Sequence, residues 1–168
     1  MIVNLARQHH LTALMETRTA KEGLEGLLSE LPGVASFSLD VPHEGRKGQG
    51  LAVLVHSTIK DRVSLWRKSP HAIWLLCDKS ILGRERDVVF GVVYIPPHDN
   101  TDERATHIED AYVSISSDLA DVLDAGYIPF VGGDWNAKIG VASEFSQSED
   151  GEIVGRFPSL SESRVLIS

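Results

Sequence analysis

Two residues in this chain sit at a spacing that suits chemistry at phosphorus. They are Asp134 and Asn136, within the stretch Ile128 to Gly140, IPFVGGDWNAKIG. Ile128, Phe130 and Val131 make a short apolar run, the mark of a buried strand. Gly132-Gly133 is expected to end that strand in a sharp turn. Asp134, Trp135 and Asn136 would follow at the strand's end, where an open α/β sheet presents its ligand groups. In extended chain, residues two apart point the same way. One of the two is an anionic oxygen ligand, and the other is an amide able to donate to a phosphate oxygen. The same Gly-Gly-Asp-x-Asn pattern also serves as an ordinary loop cap. Two further polar residues stand at the ends of apolar runs. Glu16 follows Leu11 to Met15, and Tyr94 closes the run Val88 to Ile95 before Pro96-Pro97. A carboxylate so placed is either a salt-bridged edge group or a site residue. A tyrosine there is ordinarily a core aromatic with its hydroxyl satisfied.

The elements that must position these groups alternate along the chain. Residues 1–10 suit a short helix, and Leu11 to Met15 a strand. Thr19 and Glu22 form a capping box for a helix carrying Leu24, Leu27, Leu28 and Leu31, stopped by Pro32-Gly33. Strands are expected at 34–39, 51–56, 63–66, 72–77 and 88–95. The loop Pro42 to Gly50, PHEGRKGQG, reads as a polar hairpin connection, and Gly83 to Asp87 as a charged hairpin turn. Asn100 and Glu103 open a long helix with Ile108, Tyr112, Ile115, Leu119 and Val122 as its apolar stripe. Its acids Glu109, Asp110, Asp118 and Asp121 are expected on the wet face. Trp66 and Trp74 read as core or sheet-face residues. Residues 143–155 read as a polar surface loop of disordered composition.

Bulk properties narrow the classes. At 168 residues, with 42% hydrophobic and 24% charged residues, the composition is that of a globular domain. No apolar run approaches the ~20 residues of a membrane span, and the expectation is no membrane and no signal peptide. The single cysteine, Cys77, cannot close an internal disulfide. The net charge of −8 is uneven: residues 1–100 carry 12 Lys/Arg against 11 Asp/Glu, and residues 101–168 carry 4 against 13. That excludes a protein that grips nucleic acid by bulk charge. It does not exclude an enzyme whose bound cation supplies positive charge locally. The seven histidines show no paired metal-ligand spacing.

Four segments in order, LTALMETR, GQGLAVLV, VVYIPP and GGDWNAKIG, resemble the endonuclease/exonuclease/phosphatase superfamily. Within it the chain is most similar to the apurinic-like endonuclease domain of non-LTR retrotransposons. The resemblance runs from residue 1 to about 140. It implies a DNase I-like four-layer α/β sandwich, two mixed sheets flanked by helices. Residues 1–168 would form a partial domain of this kind. Family members carry an asparagine on a first strand and an Asp-His segment on a late strand. Neither appears in this sequence, so the fold is expected to be incomplete at both ends.

By the same resemblance Glu16 binds Mg²⁺, with Mn²⁺ as the alternative ion. Tyr94 reaches the scissile phosphate. Asp134 positions or deprotonates the attacking water, and Asn136 binds the phosphate. Arg18 and Lys138 line the rim and contact substrate. The implied activity is metal-assisted hydrolysis of DNA phosphodiester bonds, impaired in this chain by the missing segments. The implied setting is intracellular, the nucleus included, as part of a longer polyprotein with a reverse transcriptase. The competing readings are a catalytically inactive remnant of such a domain and a phosphatase of the same fold acting on phosphorylated lipids or sugars.

Overall fold

The computed structural model describes residues 2–15, 17, 29, 31–39, 50–95 and 102–136, and three later strands, 145–147, 153–155 and 165–167. Contacts divide the chain into two compact units, Met1–Asn136 and Ala137–Ser168.

The first unit begins with helix α1 (Ile2–Gln8) and strand β1 (Leu11–Met15). Strands β2 (Ala35–Leu39) and β3 (Leu51–Val55) complete a three-stranded antiparallel sheet in the order β1-β3-β2. β3 reads LAVLV and is buried along its whole length. A strand covered on both faces has no polar alternation, which explains that unbroken apolar run.

The second sheet contains β4 (Val63–Ser69), β5 (Ala72–Cys77), β6 (Val88–Tyr94) and β7 (Ile128–Asp134), in that order. The first three run antiparallel and β7 joins β6 in parallel. Parallel neighbours need a long crossover, here supplied by α3 (Asp102–Asp124). Ile128 donates its N–H to the Asp87 carbonyl at 3.0 Å. Its neighbour Pro129 therefore turns its nitrogen to the outer edge of the sheet, where a missing donor is tolerated.

Period-two alternation sorts the side chains into layers. Leu51, Val53 and Val55 from the first sheet meet Ile73, Leu75, Cys77, Val88, Val92 and Tyr94 from the second. The other face of β5 and β6, with Ala72, Trp74, Val89 and Val93, packs on Ala111, Ile115 and Val122 of α3. Ala6 of α1 covers Leu54 on the far side of the first sheet, together with Leu31. The order is helix, sheet, sheet, helix: the expected α/β sandwich. One of its sheets is antiparallel throughout its described strands, and the other is mixed.

Several local expectations change. The stripe of α3 is centred on Ala111, Ile115, Asp118 and Val122, all buried, while Tyr112 is 39% exposed. Asp118 lies three residues after Ile115 and four before Val122, so helical geometry places it on the inner face. There it accepts a hydrogen bond from Trp74 Nε1 at 2.7 Å and one from Arg67 Nη1 at 2.8 Å. A bulge between Leu65 and Arg67 sets Arg67 opposite Trp74 on the helix-facing side. The guanidinium lies 4.5 Å over the Trp66 ring and also pairs with Asp121 at 2.6 Å. The two carboxylates, Asp118 first, raise the Arg67 pKa further above its ordinary value.

The connection from β5 to β6 is more than a hairpin turn. It contains the one-turn helix α2 (Lys79–Leu82), capped by Asp78, which accepts from the Ser80 N–H at 2.8 Å, and ended by Gly83 in the left-handed region. The Ser80 bonds hold the Asp78 carboxyl below the usual carboxylate range.

In the second unit, β8 (Phe145–Gln147), β9 (Ile153–Gly155) and β10 (Val165–Ile167) form an antiparallel sheet in the order β10-β9-β8. The stretch 143–155 is therefore not simply a loop. Phe145 and the pair Ile153-Val154 supply the aromatic and β-branched residues that strands favour. The helix expected after Thr19 and the loop 42–49 lie outside the described residues.

Candidate active site

The parallel pairing of β6 and β7 builds the site. Their register sets Tyr94 beside Asp134, and residues in register leave a sheet on the same face. For Tyr94 that face is the one packed between the two sheets, where the residue is only 5% exposed. Asp134, at the open end of the strand, is exposed.

The close fit of the two strands depends on Gly133. The strand does not end at Gly132-Gly133 as the sequence suggests, but continues to Asp134. A Cβ on Gly133 would stand 1.9 Å from the Val93 carbonyl oxygen, and the residue has a φ of +154°. The glycine serves close backbone approach rather than a turn.

Beyond Asp134 the chain is held by three hydrogen bonds. The Ile95 N–H donates to the Asp134 backbone carbonyl at 2.9 Å. The Asn136 N–H donates to Asp134 Oδ1 at 3.0 Å, closing an Asx turn. Asn136 Nδ2 donates to the Ile95 carbonyl at 2.8 Å. Asn136 has a φ of +42°, a left-handed conformation that asparagine accepts more readily than most residues. The two side chains are therefore related by a turn, not by the extended alternation that their spacing suggests.

Trp135 goes to the other side of the sheet. Its ring packs against the α3 cluster and stacks on Tyr112, with centroids 6.1 Å apart and planes at 14°. Neither this contact nor the Ile95 carbonyl is visible in the sequence as part of the site. A large aromatic placed between the two polar residues is the signal that could have pointed to it.

The structure thus brings Tyr94, Asp134 and Asn136 together at the ends of two adjacent strands. Glu16, Arg18 and Lys138 lie outside the described residues. The residues flanking Glu16 are placed: Met15 is in register with Leu51, and Thr17 donates its N–H to the Gly50 carbonyl at 3.3 Å. Among the described residues, no group of three or more His, Cys, Asp or Glu side chains could hold a metal ion. The donors that Asp134 and Asn136 offer are oxygens, the type that Mg²⁺ and Mn²⁺ take in preference to nitrogen or sulfur. No helix among the described residues is long and apolar enough to cross a membrane.

No protein family matches the sequence. No curated protein matches it either. Among solved structures, the human Nocturnin catalytic domain with bound sulfate anion superposes with a TM-score of 0.52 at 20% identity. The match covers 78% of this chain and 52% of that one, so this chain spans about half the length of that structure. At this identity the likeness speaks for the fold: the chain has a DNase I-like α/β sandwich.

Proposed function

We propose that the chain is a metal-dependent phosphodiester hydrolase of the retrotransposon endonuclease type, with DNA as its substrate. The observation that carries this reading is the convergence of Tyr94, Asp134 and Asn136 at the ends of β6 and β7. Asp134 is the general base: an exposed carboxylate at a strand end can take a proton from an attacking water. Its Oδ1 accepts the Asn136 N–H, which leaves the other carboxylate oxygen to act as the base. The Asn136 amide has two donors, and the Ile95 carbonyl takes one. The second N–H and the amide oxygen serve a phosphate oxygen and the orientation of the water. Tyr94 directs its hydroxyl to the phosphate from within the sheet packing. On the sequence resemblance, Glu16 is proposed to bind Mg²⁺ or Mn²⁺, and Arg18 and Lys138 to contact the DNA substrate. When bound, the ion neutralises charge that builds on the phosphoryl oxygens.

The test is nicking of supercoiled plasmid in Mg²⁺, comparing the chain with Asp134→Ala. Slow nicking by the parent is expected, lost by a factor of about 10²–10⁴ in the variant, the scale of a positioned general base. Equal nicking by parent and variant, or none by either at any Mg²⁺ or Mn²⁺ concentration, overturns the reading.

A further inference from the structure

Three hydrogen bonds hold the Asp134–Asn136 turn. Two reach the backbone of Ile95, just beyond the end of β6, and the third is internal to the turn. What meets the turn from the other side of the sheet is the Trp135 ring. That ring packs against the buried cluster shared by α3, β5 and β6, and it stacks on Tyr112 of α3. α3 is in turn tied to the sheet by Asp118, through Trp74 and Arg67.

We propose that Tyr112 is a positioning residue for Asp134 and Asn136, acting through Trp135. The proposal rests on the reading of those two residues as the acting groups. Trp135 is the single residue between them, so holding its ring in place restrains the Cα through which Asp134 and Asn136 are joined. Asn136 takes a positive φ, which asparagine adopts at modest cost, so the turn is kept in place by its contacts. A nearly parallel stack with an offset suits aromatic rings, and it leaves the indole one favoured orientation. Tyr112 stands outside the fully buried stripe of Ala111, Ile115 and Val122. Its ring can therefore be removed while the packing of α3 on the sheet is kept. Loss of the stack should free the turn, and misplacement of a reacting group by about 1 Å costs about 100-fold in rate.

The experiment uses the full chain, with Tyr112→Ala and Tyr112→Phe as variants. Backbone order parameters from ¹⁵N relaxation report motion directly at residues 134–136. In the parent they should have rigid values of about 0.85, and in Tyr112→Ala they should fall below about 0.6. The residues of β6 should be unchanged in both variants, and Tyr112→Phe, which keeps the ring, should match the parent. In plasmid nicking, Tyr112→Ala should lower kcat on the order of 100-fold and leave KM within about twofold, the signature of a contact that matters only in the transition state. The proposal is overturned by unchanged order parameters at 134–136 in Tyr112→Ala. Loosening spread equally through β6, equal loosening in Tyr112→Phe, or loosening without loss of kcat also overturns it. A parent chain without Asp134-dependent nicking would sink the functional reading instead, and the relaxation data alone would then decide whether Tyr112 positions the turn.

Discussion

Asp118 shows how one residue can be placed by its partners rather than by its type. It is 5% exposed on the inner face of α3, among Ala111, Ile115 and Val122. A carboxylate there is tolerable because Trp74 Nε1 and Arg67 Nη1 both donate to it. Replacing it with alanine removes the short partner of the buried indole, leaving only Ser69 Oγ at 3.4 Å. Asp118→Ala is expected to lower the unfolding free energy by about 1–3 kcal/mol, the range for an unsatisfied buried group, as read in urea titration. A change under 0.5 kcal/mol, the ordinary scale for surface substitutions, would show that the network is dispensable. Composition did not reveal this. An acidic residue beside other acids on a helix is ordinarily solvated, and it is the Trp74 indole, with the Arg67 that the bulge turns toward α3, that makes Asp118 an internal ligand.

At the scale of elements, the β6–β7 pair is the device that presents the site. A parallel pair brings both C-terminal ends to the same edge of the sheet, so Tyr94 and Asp134 become neighbours although forty residues separate them. Gly133 permits the fit, and Gly91 does the same for the Trp74 ring, whose nearest atom would be 2.4 Å from an added Cβ. Gly133→Ala is expected to force the strands apart near Val93, at a cost of about 1–3 kcal/mol in stability, typical of overpacking. Because Asp134 is the next residue, nicking should fall along with stability. A variant with parent stability and parent rate would show that the strands can separate there without consequence.

For the first unit as a whole, the core between its two sheets is the central layer, and Cys77 lies within it at 3% exposure. Burial pushes its thiol up to about 11. The thiolate is the reactive species, so native chain should resist iodoacetamide at pH 8, and label rapidly only in denaturant. Fast labelling of native chain would mean that the sheets part readily. The same shift has a consequence for stability. Its contribution is fully present below the unfolded thiol's ordinary pKa near 9. Above that, the unfolded chain loses its proton while the folded chain keeps it. Stability should therefore decline between pH 9 and 11, by at most about 1.4 kcal/mol per pH unit. Cys77→Ala should flatten that part of the profile, and an unchanged slope would assign it to other groups.

The sequence by itself determined the strands of the first unit, because apolar runs such as LAVLV and VVFGVVY need burial whatever surrounds them. It determined that a long amphipathic helix precedes the Gly-Gly-Asp strand. It also drew attention to Tyr94, Asp134 and Asn136 by their place at the ends of apolar runs. Local pattern has no access to neighbours distant in the chain, and the corrections at Gly133 and Asp118 arise there. Only the tertiary structure decided that Gly132-Gly133 continues a strand, because the reason is the Val93 carbonyl across the ladder. Only it showed what makes a buried Asp118 tolerable, because its partners are 44 and 51 residues away. It also replaced extended alternation at Asp134 and Asn136 with a turn: the Ile95 carbonyl and the Tyr112 ring, from two other elements, are what the turn is built against.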